Sequence, residues 1–470
     1  MSRMVELKRC TIDVFEQRTT DEGVLTPALR ELDKIGEKDE YFLISFLLPF
    51  SLMKHLYDIL YQRLGPRTMF LATKVVGFIA QHNPSAVVAE PLVPWMIQSF
   101  EIRLPFVIKS ALLVLKHVAS GDAEQSVRII EQPGFVRGLL QFIAEDQCVT
   151  KHDTEAFQLI KEVIFAAKSK ISLDLLEQLL NPAVAFLELK QRSMNTIEAM
   201  EILARVAEHR DGAVMLQVRR VHVLLVSLAN HYKGNPWYDE PNQQTTFQLL
   251  AWLVHCLGRM VSSEASGIID AVIQQPQFMD AIIAMMEATS GRRMAFSKTS
   301  KRELRLRLIY LLANIAGGTP QHIRFVFHNN FKQLCGPIFE SMDSSYNPID
   351  TELNRLIANV VENGDGETKL RFLEWNNHKA LDVLSHYSHM KKWNVENVSI
   401  TLETMGSVMK LKTSYCDKLD YCGGKAALEY WVTYANNKRI SDLSATMLGT
   451  FDRHAEDNLE NQQHPNNRHF

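Results

Sequence analysis

The feature that most constrains this chain is the spacing of its apolar residues. From Tyr41 to about Phe451 they return every three or four positions, and strand-like alternation is almost absent. The helical stretches are short, roughly 10–15 residues, and are cut by Gly, Pro, Asn-Pro and Ser-Gly breaks. A stack of small helices requires that pattern; a long coiled coil does not. The class is all-α. The order of helices and breaks also recurs. The segment 109–143 (KSALLVLKHVASGDAEQSVRIIEQPGFVRGLLQFI) reads as helix, Ala-Ser-Gly break, helix, Pro-Gly break and a third apolar helix. Segments 308–342 and 354–387 show the same order, with Asn314 to Asn359 spanning 45 residues and Asn359 to Ser407 spanning 48.

A period of about 40–47 residues carrying three helices is that of an armadillo-type repeat. One such triplet cannot bury its apolar face alone, so neighbours stack into a continuous core and leave an extended surface for partners. The expected architecture is a right-handed α-α superhelix, an armadillo-repeat solenoid of about nine units beginning near 70, 105, 153, 194, 243, 302, 350, 397 and 435. Residues 1–40 read as a partly helical N-terminal segment, 41–452 as the solenoid, 291–307 as a basic insertion, and 453–470, apolar only sparsely, as a disordered polar tail.

Charge and cysteine content narrow the function classes. With 51 Lys+Arg against 54 Asp+Glu the net charge is -3, which disfavours a protein that coats nucleic acid phosphates. The six cysteines show no C-x-x-C spacing, as expected of a reduced protein without a zinc ribbon. The N-terminus mixes both signs of charge and reads as neither a secretory signal nor a transit peptide, and the run Tyr41–Met53 is too short to span a bilayer. His209-Arg210-Asp211 lacks the companion motifs of a kinase, Asn363-Gly364-Asp365-Gly366 is a helix-to-helix turn, and the histidines form no metal-binding spacing. The expectation is a protein without catalytic chemistry, cofactor or metal, and with no membrane or direct nucleic acid partner.

The segments 105–143 and 302–387, together with DKLDYCGGKAALEYWVTYANN (417–437), resemble importin-α, the armadillo adaptor that carries nuclear localisation signals. Three pieces carry the likeness: LVLKHVASGDAEQSVRIIEQPGFVRGLLQFI (113–143), LLANIAGGTPQHI (311–323) and Cys422-Gly423-Gly424 with the helix that follows. In that family the third helix of each repeat presents Trp and Asn four residues apart, on one helix face. The Asn amide holds an extended peptide by its backbone, while indole faces take lysine stems and ammonium groups.

Carried over residue by residue, the resemblance assigns Tyr310 and Asn314 to one unit and Arg355 and Asn359 to the next. Trp252 stands at the position before them, in a register shared with Cys256 or displaced by His255 and Arg259, and reads more readily as packing than as a lysine slot. In the second unit the positions are Leu113 and His117, and in the eighth Glu403 and Ser407, which do not match the pattern. No basic importin-β-binding arm is recognisable: Arg3, Lys8, Arg9, Arg18, Arg30, Lys34 and Lys38 are scattered among as many acids.

The resemblance implies an adaptor that binds nuclear localisation signals or other extended basic segments of partner proteins and moves with nuclear transport receptors between cytoplasm and nucleus. The alternative is an armadillo scaffold or regulatory subunit with one dedicated protein partner. Arg355, a cation where an aromatic would receive lysines, favours the alternative. The basic stretch Arg292, Arg293, Lys298, Lys301, Arg302, Arg305 and Arg307 reads as a solvated loop and helix face, or as a mimic of a nuclear signal.

Overall fold

The computed structural model describes Val14 and residues 19–38, 52–89, 91–102, 104–121, 123–145, 153–167, 170–189, 194–209, 211–233, 240–263, 267–290, 298–328, 330–339, 348–390 and 394–463. The run 41–51, Arg292, Arg293 and the end of the chain from 464 lie outside these. Every regular element among the described residues is helical, and none is a strand. The chain divides into two units, Met1–Met215 and Leu216–Phe470.

In the first unit, five long helices each pack on the next: α1 (Glu22–Lys38), α2 (Pro66–His82), α3 (Pro105–Ala119), α4 (Asp153–Ala167) and α5 (Met194–Glu208). A second row, Leu52–Tyr61, Leu92–Gln98, Phe135–Glu145 and Leu173–Glu188, packs in the same successive way. Short helices such as Pro84–Ala89 and Ala123–Glu131 join the rows. The second unit repeats the order with α6 (Glu240–Val261), α7 (Lys298–Ala316), α8 (Pro348–Asn363), α9 (Val395–Leu411) and α10 (Lys438–Gln463), each against its successor. Its other row includes Val221–Lys233, Phe278–Ser290 and Phe331–Phe339.

Local chemistry sets the breaks. Proline opens α2, α3 and Pro320–Phe327, where its missing N–H costs nothing and its fixed φ suits the helix. Side-chain caps start the helices after the turns: Asp365 accepts the Thr368 N–H at 2.7 Å and Asn394 that of Asn397 at 2.8 Å. The stretch Gly366–Ser388 is two helices separated by Trp375–His378, where Asn376, Asn377 and His378 adopt positive φ. Asn tolerates that region better than most residues, and Trp375 stacks on Phe339 at 5.5 Å. Trp95 and Trp431 are buried, and their indole N–H groups donate to the Leu60 and Ser388 carbonyls at 2.8 and 2.7 Å.

One boundary and the setting of two arginines differ from the sequence expectation. α10 continues to Gln463, through the first eleven residues of the stretch expected to be an unstructured tail. His454 on this helix bonds Asp417 at 3.0 Å, and Ala455 through Gln463 contain no helix breaker, so helix formation does not need apolar residues there. The basic segment is helical from Lys298, and two of its arginines turn inward: Arg305 donates to the Thr289 carbonyl at 2.7 Å, and Arg307 is considered below.

Asp365→Ala is expected to cost about 1 kcal/mol in urea unfolding near neutral pH. The Thr368 backbone and side-chain bonds hold this carboxyl below its ordinary value. The cap therefore stabilises above the unfolded-state value and is lost as pH falls through the lower folded-state value, so the difference between wild type and variant should vanish in strong acid.

Candidate functional site

Helices α6, α7 and α8 are apolar around most of their circumference. Leu250, Leu253, Val254, Leu257 and Met260 of α6 are buried, as are Leu308, Ile309, Leu311, Leu312 and Ile315 of α7 and Leu353, Leu356, Ile357 and Val360 of α8. Each helix is thus committed to packing on several sides and carries, among its polar positions, a stripe at i, i+3, i+4 spacing. The stripes are Trp252, His255 and Arg259; Glu303, Arg307, Tyr310 and Asn314; and Glu352, Arg355, Asn359 and Asn363. Because the helices pack in succession, these stripes lie side by side.

Tyr310 is at the centre. A Cβ on Gly258 would lie 2.7 Å from the tyrosine ring carbons, so only glycine lets the ring rest on the α6 backbone. Arg355 lies 5.1 Å from the ring centroid and Arg259 5.6 Å, while His255 is 5.8 Å away ring to ring. Trp252 is treated alike: Arg307 stands 5.9 Å from its ring and His255 meets it edge-on at 5.7 Å. The guanidinium and ring quadrupole attract at these distances. Hydrogen bonds fix the cations further. Arg307 donates Nε–H to Glu303 at 2.7 Å and bonds His255 Nδ1 at 3.0 Å. Arg355 donates to Asn314 Oδ1 at 2.7 Å and pairs with Glu352 at 2.9 Å.

The asparagines bracket successive helices. Asn314 Nδ2 donates to the Gly258 carbonyl at 2.9 Å, Asn359 Nδ2 to Ala313 at 2.8 Å and Asn363 Nδ2 to Ala316 at 3.2 Å. These acceptors lie in the last turns of α6 and α7, and the Gly258 and Ala313 carbonyls also accept the backbone N–H of Ser262 and Gly317, each at 3.0 Å. The structure thus brings together Tyr310, Asn314, Arg355, Asn359 and Trp252. It adds Gly258, His255, Arg259, Arg307 and Glu352, which sequence spacing alone does not mark as one group.

Glu303 pairs with Arg307 at 2.7 Å and Glu352 with Arg355 at 2.9 Å along these stripes. Burial pushes the Glu352 carboxyl above its ordinary value, although Arg355, Arg259 and Arg307 all pull it down. The side chains of Arg307 and Arg355 remain 27% and 35% exposed, so solvent reaches both. On α9, Glu403 is taken up by Arg439 of α10 at 2.5 Å.

His117 is in the first unit, on α3, and is not part of this group. Burial, then Lys116 and His82, push its imidazole below the ordinary value. The corresponding face of that unit carries self-paired charges: Lys109 with Glu155 at 3.0 Å, and Lys161 with Glu198 and Glu201 at 2.9 and 3.2 Å. Arg205 lies 4.6 Å from the Phe165 ring. Among the described residues, no group of three His, Cys, Asp or Glu could hold a metal ion. No single described helix is long and apolar enough to cross a membrane.

No family model matches this sequence, and no curated protein matches it. Among solved structures, the chain is similar to a crystal structure described as that of an engineered protein from a structural genomics consortium. The TM-score is 0.72 at 15% identity, over 94% of this chain and 99% of that one. At that identity the likeness bears on the fold alone.

Gly258→Ala tests the seating of Tyr310. Exchanging glycine for alanine inside a helix ordinarily stabilises by roughly 0.5–1 kcal/mol. Here the ring must move, so the variant is expected to unfold at lower urea concentration than wild type. Asn314→Ala removes both the bracket to Gly258 and the acceptor for Arg355, and is expected to lose about 1–2 kcal/mol in the same assay.

Proposed function

We propose that this chain is an armadillo-type helical-repeat scaffold that holds an extended segment of one dedicated partner protein along the stripes of α6, α7 and α8. The observation that carries this reading is the occupancy of the rings. Trp252 and Tyr310 are the platforms on which an importin-α-like adaptor would receive lysine side chains, and here the chain's own Arg307, Arg259 and Arg355 stand on them. A basic segment would have to displace these guanidinium groups and then lie among the like charges it had displaced. The recurrent helix order and the likeness to an all-helical repeat-like fold support the scaffold architecture. The half-buried asparagines support an extended occupant, because an amide pairs as readily with a peptide backbone as with a helix carbonyl.

The import-adaptor reading shares the same helices and differs in the sign of the occupant, so one titration separates the two. A fluorescein-labelled, lysine-rich nuclear-signal peptide, titrated against the purified chain by fluorescence polarisation, is expected to bind no better than its charge-neutralised control. In Arg307→Ala/Arg355→Ala, which vacates two ring faces, affinity for the lysine-rich peptide is expected to rise by about tenfold, the worth of one to two desolvated cation–ring contacts. Selective, salt-sensitive binding of that peptide by the wild-type chain would instead establish the adaptor reading.

A further inference from the structure

We infer that Trp375–His378 is a hinge through which two copies of this chain exchange their C-terminal helices, so that residues from 379 onward of each pack on residues up to 374 of the other. The backbone of the turn carries this inference. Asn376, Asn377 and His378 stand in succession at φ 47°, 56° and 67°. A Cβ is crowded in that region, so such residues in a row store strain that a single one does not. Among the described residues, the turns that lead out of the other short helices hold one positive-φ residue each: Gly134, Arg220, Gln277 and Gly423. Pro133, Pro276 and Gly424 further punctuate those turns, whereas no glycine or proline occurs from Glu367 to Ser388. That run can form one continuous helix, and straightening it removes every left-handed residue of the hinge together.

The contacts on the two sides of the hinge already point apart. Before it, Phe372 packs among the rings of Phe327, Phe331 and Phe339, and Arg371 donates to the His328 carbonyl at 3.0 Å. After it, Asp382 accepts the Cys422 thiol at 3.0 Å and pairs with Lys418 at 3.2 Å, and Ser385 donates to the Cys422 carbonyl at 2.7 Å. Each half of the bent pair thus belongs to a different block of helices. The contacts that cross between the blocks include Tyr387 to Asp350 at 3.1 Å, Asn354 to the Asn397 carbonyl at 3.3 Å and the packing of α8 on α9. A second copy makes the same contacts in trans, while its hinge is relieved. The bent monomer is held by Trp375 on Phe339 and by Glu374, which accepts from Lys412 at 2.9 Å and from the Tyr415 hydroxyl at 3.3 Å. Two forms with nearly the same contacts are then divided by concentration.

In the test, the full chain is refolded from urea at micromolar and at near-millimolar concentration and analysed by size-exclusion chromatography with light scattering. The dimer fraction is expected to grow with refolding concentration, and the isolated dimer to persist for hours on dilution, because release requires the blocks to unpack. Asn376→Ala/Asn377→Ala favours helix over the left-handed turn and is expected to raise the dimer fraction several-fold. Asn376→Gly/Asn377→Gly, for which the turn is easy, is expected to lower it several-fold with unchanged helical circular dichroism. Wild type and alanine variant both monomeric at every concentration would overturn the inference. So would a dimer that dissociates within the mixing time, or one indifferent to both pairs of substitutions, since either is an ordinary surface contact.

Discussion

Tyr310 lies between the bare backbone of Gly258 and two guanidinium groups, and the polar face of the second unit is organised around that placement. Without glycine at 258 the ring could not reach α6. Without the ring there, Arg259 and Arg355 would lose the surface that draws two like charges to one place. Arg355 in turn orients Asn314, whose amide reaches back to the Gly258 carbonyl and closes a loop of contacts across α6, α7 and α8. Packing brings the helices together; this circuit sets what their exposed stripe presents.

The circuit shows how one set of residue types serves two purposes. Aromatic rings beside asparagines on a helix face suit an extended basic peptide, and they suit equally well a chain that supplies its own cations. Here the chain's own arginines lie against the rings and its helix carbonyls accept from the amides. In the first unit Lys161 pairs with glutamates of the next helix and Arg205 lies on the Phe165 ring, whereas in the second Arg307 and Arg355 each pair with a glutamate of their own helix while lying against the ring of a neighbouring one.

Much of the architecture was legible because breaks are local chemistry. Ala-Gly-Gly-Thr-Pro at 316–320 ends α7 and starts the next helix at the positions where Gly, Thr and Pro each favour that geometry. The end of α10 was misjudged because the sequence reading looked for apolar periodicity, and a helix extending past its packed portion needs only good helix formers. The stripe residues were legible as positions and not as partners. Arg355 and its neighbour Glu352 are three apart and could be paired on paper, but Gly258 against Tyr310 and Asn314 against Gly258 depend on the offset between α6 and α7.

The claim that the rings hold the chain's own cations is tested most directly by a double-mutant cycle between Tyr310 and Arg355. Tyr310→Leu and Arg355→Met keep the apolar bulk and remove the ring and the charge, and urea unfolding of the four proteins gives their coupling. A favourable coupling of about 0.5–1 kcal/mol is predicted for a partly exposed guanidinium on an aromatic face. Additive losses, with no coupling between the two positions, would contradict the account.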